Sequence, residues 1–219
     1  MKKLLVIVCP FLFLGTLSAQ MEEGSIYGAA HFTMHTEDMN FSNEAEWSIS
    51  PQIGYYIIDK WAAGLIGNIG FQHFESYSQN TETGHSKEGQ WGGFGPITRI
   101  HIGSEKASLI GEFSFQYGWF EQKSETTDTE NDDSYYLQKG TYQQLTFGAG
   151  LAYYFTPRIG AEFIADFNWY NVQRKSGNVY SDDEVENYNQ QTLNFGNIQW
   201  KLGLVAFFGP GKSKAESSE

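Results

Sequence analysis

Residues Leu109–Trp119 read LIGEFSFQYGW, and one parity carries Leu109, Gly111, Phe113, Phe115, Tyr117 and Trp119. The other parity carries Ile110, Glu112, Ser114, Gln116 and Gly118. Successive side chains of a strand point to opposite faces, so this period of two predicts a strand with one apolar face. Three further stretches repeat the pattern. Trp47–Ile57 sets Trp47, Ile49, Pro51, Ile53, Tyr55 and Ile57 against Ser48, Ser50, Gln52, Gly54 and Tyr56. Leu145–Phe155 sets Leu145, Phe147, Leu151, Tyr153 and Phe155 against Thr146, Gly148, Gly150 and Tyr154. Ile159–Trp169 sets Phe163, Phe167 and Trp169 against Glu162, Asp166 and Asn168. Weaker versions occupy Ser25–Met34, Ala62–Phe74, Phe94–Ile102 and Leu193–Phe208, which brings the total to eight.

The connections between these stretches alternate in length. Short ones fall at Ile58–Trp61, Gly103–Ala107 and Thr156–Arg158, and long polar ones near His35–Glu46, Glu75–Gln90, Gln122–Gly140 and Val172–Gln190. Three short turns and four long loops describe an all-β, eight-stranded antiparallel up-and-down barrel with both chain ends on the short-turn side. Each strand then needs about 9–11 residues to cross a bilayer at a tilt, and outer-membrane barrels carry short periplasmic turns and long external loops.

Composition supports strands. Of 219 residues, 16% are aromatic and 24 are Gly, while only 5 are Pro. Aromatic side chains fill pleated faces, and glycines permit close backbone approach. A single Cys excludes a disulfide framework and a cysteine-based zinc site. A net charge of −12 makes nucleic acid an improbable partner.

Trp47, Trp91, Trp119 and Trp169 fall at the long-loop ends of strands, and Trp61, Phe155 and Phe208 at the short-turn ends, as in the two aromatic belts of a transmembrane barrel. Phe113, Phe147, Leu151 and Phe163, mid-strand on the apolar parity, are expected to face lipid. A secreted lipocalin-like barrel would turn the apolar parity inward around a ligand. Against it, the polar parity is rich in Gly, Ser, Gln and Asn and poor in the charges that a solvated surface carries.

The N-terminus has the layout of a secretory signal peptide over residues 1–19: Lys2 and Lys3, an apolar run from Leu4 to Gly15, and small residues at Ser18 and Ala19. Cleavage after Ala19 would leave Gln20 first and discard Cys9, whose bulky neighbour Val8 argues against lipidation. The mature barrel is expected over residues 20–208, followed by a disordered periplasmic tail, residues 209–219. Lys201–Phe208, KLGLVAFF, resembles the terminal-strand signal read by the outer-membrane barrel assembly machinery.

The run SPQIGYYIIDKWAAGLIGNIGF (Ser50–Phe71), with FGPITRI (Phe94–Ile100), AEFIADF (Ala161–Phe167) and a leader ending in SAQ, resembles the small outer-membrane β-barrel proteins of Bacteroidetes-type bacteria, OmpA/OmpW-like barrels. The resemblance covers essentially the mature chain. It implies fold and location far more strongly than activity, and it brings no catalytic residues.

Seven ionisable residues take the polar parity: His31, Arg99, His101, Glu112, Glu162, Asp166 and Lys201. An eight-stranded barrel is just wide enough for side chains to fill, so these charges must pair. The pairing reads as a structural plug, with a proton or ion path as the alternative. A hairpin centred near Glu105 would set Arg99 opposite Ile110, one inward step from Glu112. Lys201 would meet Glu162 or Asp166 on the preceding strand.

Ser124–Ser134 (SETTDTENDDS) and Ser181–Glu186 (SDDEVE) are acidic loops. Asp128, Glu130 and Asp132 have the spacing of calcium ligands, but Asp133 replaces the required Gly and Lys139 the required Glu, so no EF-hand is present. The loops read as a solvated, mobile acidic surface, with weak divalent-cation bridging to lipopolysaccharide phosphates as the alternative. His73 and Glu75 share a parity near the outer interface, with Ser76 and Ser78 on the opposite one, which denies a nucleophile its base. His31, His35 and His85 show no better constellation.

The expectation is therefore a non-enzymatic outer-membrane barrel without cofactor or metal, for envelope integrity, adhesion or docking to a larger outer-membrane complex. Its partners would be outer-membrane lipids and lipopolysaccharide, and the assembly machinery during insertion. A lipid-modifying or lipid-binding enzyme on the same scaffold is the second reading, and the secreted lipocalin-like barrel the third.

Overall fold

The computed structural model describes residues 21–39, 42–78, 83–104, 106–127, 134–180 and 184–209. The leader, the tail beyond Gly209 and the acidic cores Asp128–Asp133 and Ser181–Asp183 lie outside the described residues.

The period-two stretches form eight strands: β1 (Ile26–Met39), β2 (Ser42–Ile58), β3 (Trp61–Ser78), β4 (Thr83–Gly103), β5 (Ala107–Thr127), β6 (Ser134–Thr156), β7 (Ile159–Tyr180) and β8 (Glu184–Phe208). Each pairs antiparallel with the next, and β1 pairs with β8 to close the barrel. Both described chain ends and the three short turns share one end, called lower here.

The apolar parity faces outward. Phe113, Phe147, Leu151 and Phe163 are exposed on the barrel exterior, as are Trp47, Trp61, Trp119, Trp169, Phe155 and Phe208. The spacing of the apolar residues at the two ends of the outer face is regular. Ten residues separate Trp47 from Ile57, Trp61 from Phe71, Leu109 from Trp119 and Ile159 from Trp169. At a rise of about 3.3 Å and the usual tilt of barrel strands, ten residues cover about 25 Å, the height of a bilayer's apolar band.

Trp91 departs from the expected belt. It is only partly exposed and faces the lumen, because it shares parity with Arg99 and with Gly93, Gly95 and Ile97 between them. Its position at a strand end suggested a belt, but its parity decides the face.

The long polar connections are also corrected. β1 and β2 stay paired as far as Met39↔Ser42, β3 and β4 to Ser78↔Thr83, and β7 and β8 to Tyr180↔Glu184. Strands run to 14–25 residues where about 9–11 were expected. Polarity in these segments reports water on both faces rather than the absence of pairing. Once register is set below, each further pair satisfies backbone groups that would otherwise need water.

The lower lumen is filled. Tyr27, Tyr56, Ile110, Tyr154, Ile164 and Phe207 are buried together, with Tyr27 and Tyr56 edge to face at 5.9 Å. Met21 stoppers this end: it is buried in the same cluster, and its carbonyl accepts the Lys60 N–H at 2.6 Å.

Candidate functional site

Above the apolar floor lies a layer of buried charge. Arg99 donates from Nη1 to Glu162 Oε1 at 2.9 Å and from Nη2 to Glu112 Oε2 at 3.0 Å. Lys201 Nζ lies 2.6 Å from both Glu112 Oε1 and Asp166 Oδ2. His31 Nε2 is 2.9 Å from Glu162 Oε2. Two permanent cations and one imidazole thus face three carboxylates in a single connected network. Space for it comes from glycines: a Cβ at Gly148 would collide with Asp166 and Glu112, and one at Gly203 with the His31 ring.

Two expectations about this layer change and one is narrowed. Arg99 is directly opposite Glu112, and Ile110 is opposite His101. The register is therefore two residues from the one expected, a shift that preserves the face. Lys201 takes Asp166 and Glu112, while Glu162 belongs to Arg99 and His31. His101 stands apart from the ion pairs: its Nδ1 lies 3.2 Å from Ser108 Oγ and 3.1 Å from Tyr154 Oη. This Ser–His contact is sealed in the lower lumen, where no substrate has access to it.

Next comes a layer of neutral amides and hydroxyls. Gln144 Nε2 donates to Asn168 Oδ1 at 2.9 Å and Thr146 Oγ1 donates to the same oxygen at 2.8 Å. Above it the lumen opens into a cup of about 370 Å³. Trp91, Phe120, Tyr142, Tyr170 and Phe195 supply its rings, and amides from Asn68, Gln72, Gln122 and Gln199 the polar part. The rings lie back against the wall because glycines leave room: a Cβ at Gly70 would strike the Trp91 ring, and one at Gly118 the Tyr142 ring. Arg174, on the same rim, has its guanidinium held by Gln191 Oε1.

The cup has a side opening. β1 and β8 pair only from Ile26↔Phe208 to Phe32↔Leu202, although β1 continues to Met39 and β8 begins at Glu184. A second cavity of about 270 Å³ occupies this seam, lined by Thr33 and Met34 on one side and by Ile198 and Trp200 on the other. It shares Glu46, Asn197 and Gln199 with the cup.

No protein-family model and no curated protein sequence matches the chain. Among solved structures, it is similar to a major outer membrane protein from Thermus thermophilus, at 12% identity and a TM-score of 0.51, over 85% of this chain and 100% of that one. The likeness is one of fold. Ail, the attachment invasion locus protein of Yersinia pestis, matches at 14% identity and a TM-score of 0.37, over 85% of this chain and 99% of that one. The outer membrane protease OmpT from Escherichia coli matches at 13% and 0.35, over 84% and 94%.

His73, placed near the outer interface by the sequence, is half-exposed, with Nε2 3.2 Å from Glu75 Oε1 and Nδ1 3.7 Å from Glu88 Oε1. Side-chain reach closes the gap that strand rise alone would leave, giving a solvated surface pair. Sequence reasoning missed the cup. Its rings take the inward parity of their strands, so counting upward from Arg99 to Trp91 and from Lys201 to Phe195 would have found two of them.

Proposed function

We propose that this protein is an integral, non-enzymatic barrel of the bacterial outer membrane that anchors an outward-facing contact surface and does not conduct. The observation that carries this reading is the inverted polarity of the barrel. Apolar side chains cover the exterior over a band of about 25 Å, and buried ion pairs occupy the middle of the lumen. A secreted lipocalin-like barrel would have the reverse arrangement, with charges outside and an apolar lumen. The charged and apolar layers leave no continuous path for a solute, which argues for a structural plug.

The strands rise well past the upper aromatics, so the polar hairpins stand clear of the bilayer. Adhesion, docking to larger outer-membrane complexes and envelope integrity all use such a surface. Lipids and lipopolysaccharide surround the belt, and the barrel assembly machinery inserts the chain through its terminal strand. Both described chain ends, at the lower end, are periplasmic.

Single-cysteine labelling tests location and orientation together, because the only natural cysteine, Cys9, lies in the leader. A membrane-impermeant maleimide applied to intact cells should label Glu88→Cys, on an upper strand extension, and spare Lys106→Cys, in a lower turn. Labelling of Lys106→Cys alone would invert the orientation, and recovery of the protein in the soluble fraction would refute the membrane reading.

A further inference from the structure

We infer that the upper cup is a binding site for a neutral saccharide. The inference rests on the proposed outward orientation of that end, and three independent features carry it.

The first is the chemistry of the wall. Amides of Asn68, Gln72, Gln122 and Gln199 share the wall with aromatic rings. Amides both donate and accept, which suits hydroxyl groups, and ring faces suit the apolar C–H faces of a sugar. Charge is sparse: Glu46, Glu121 and Arg174 form no basic cluster that would select a phosphate or sulfate. Gln122 Nε2 donates to Gln72 Oε1 and Gln72 Nε2 to Glu44 Oε1, but an acyl chain would still desolvate Asn68 and Gln199 without offering them a partner.

The second is unsatisfied polar atoms. Tyr142 and Gln144 are 6% and 4% exposed, and Tyr142 Oη and Gln144 Oε1 have no hydrogen-bond partner in the protein. Asn68 Oδ1, on the same wall, has none either. Buried polar atoms are seldom left in this state, and these belong to residues that line the cup. The atoms lie just behind its surface, so a hydroxyl-rich ligand pairs with them once the side chain turns toward it.

The third is that the space is held open. Elsewhere in the lumen side chains pack to closure, but here the glycines draw the Trp91 and Tyr142 rings back against the wall. Phe195, inward by parity and stacked on Tyr170 at 5.0 Å, is still 48% exposed, because it looks into the cup beside the open seam. A volume of about 370 Å³ falls in the range of small-ligand pockets, about 300–1,000 Å³.

Such a saccharide has two sources: a free sugar entering from above, or the sugar headgroup of an outer-leaflet glycolipid entering through the β1–β8 seam. The test uses the full mature chain refolded in a detergent without a sugar headgroup, with folding verified by its heat-modifiable gel shift. Titration calorimetry is run with glucose, maltotriose, N-acetylglucosamine oligomers and delipidated lipopolysaccharide core. At least one should bind saturably, and Phe195→Ala and Gln144→Ala should each weaken it about tenfold or more while keeping the gel shift. In nanodiscs, protection of Thr33→Cys from maleimide by lipopolysaccharide, but not by phospholipid, identifies the glycolipid source. Protection by free sugar alone identifies the other. No binding of any of these probes, binding unchanged by the cup variants, or saturable binding of a fatty acid in their place would overturn the assignment. The cysteine labelling of intact cells would stand in each of those cases, so loss of the cup reading and loss of the membrane reading are separable.

Discussion

At the scale of single residues, burial and parity assign opposite fates to neighbours. Phe113 points out and Ser114 points in, one residue apart on β5. Phe113 lies between Leu109 and Trp119 on the outer face, so Phe113→Arg should cost about 2–4 kcal/mol, measured by urea-dependent refolding into liposomes. Ser114→Leu adds bulk to a packed lumen and should cost about 1–3 kcal/mol. A neutral Phe113→Arg would show that this face does not meet lipid. The charged layer makes a second residue-level prediction. Arg99 holds two carboxylates, and Glu112 holds two cations. Glu112→Gln or Arg99→Gln each leaves buried charge underpaired, at a cost of about 3–5 kcal/mol. The double substitution should cost clearly less than the sum, because the charges stranded by each change disappear together. Strictly additive losses in the same refolding assay would mean that the pair is not coupled.

At the scale of elements, the seam is the feature that sets β1 and β8 apart from other neighbours. Phe32 and Leu202 are Cα partners at the last rung, and Met34 and Trp200 would be partners two residues higher if the ladder went on. Disulfides need Cα atoms within about 7 Å. The pair Phe32→Cys/Leu202→Cys should therefore oxidise readily, and Met34→Cys/Trp200→Cys should stay reduced, read as mobility on non-reducing gels. Equal crosslinking of both pairs would mean that the barrel closes to the top. The opening falls in the upper part of the exterior belt, beside Met34, Ile198 and Trp200. Unpaired strand edges are tolerated at membrane depth only where they line a polar cavity, and Gln199 and Asn197 provide that lining.

At the scale of the whole molecule, the layers in the lumen add up to closure: an apolar floor, an ionic layer, an amide layer and an open cup. Planar bilayer recordings of the refolded protein should show no large steady conductance. A stable conductance comparable to a general porin would contradict a plugged lumen. Replacing Arg99, Glu112 and Lys201 together by Ala should leave the recordings silent as well, because the apolar floor of Tyr27, Tyr56, Ile110, Tyr154, Ile164 and Phe207 still closes the lumen beneath them.

The strand number, the antiparallel order and the choice of outer face were all legible in the sequence. The reason is local: a period of two is a property of neighbouring residues, and Leu109–Trp119 displays it without reference to the rest of the chain. The membership of the buried charged set was legible too, because Arg99, Glu112, Glu162, Asp166 and Lys201 all take the inward parity. Tertiary structure alone decided which charges meet. Glu162 reaches Arg99 across the lumen from a strand three positions round the barrel, a contact that depends on closure and shear rather than on sequence spacing. It also decided the reach of the ladder, since polar hairpins and polar loops have the same composition and differ only in whether a registered neighbour stands beside them. The cup and its seam are products of the same global geometry. They arise where β1 and β8 part above Phe32 and Leu202, a separation between the two ends of the chain that no local pattern records.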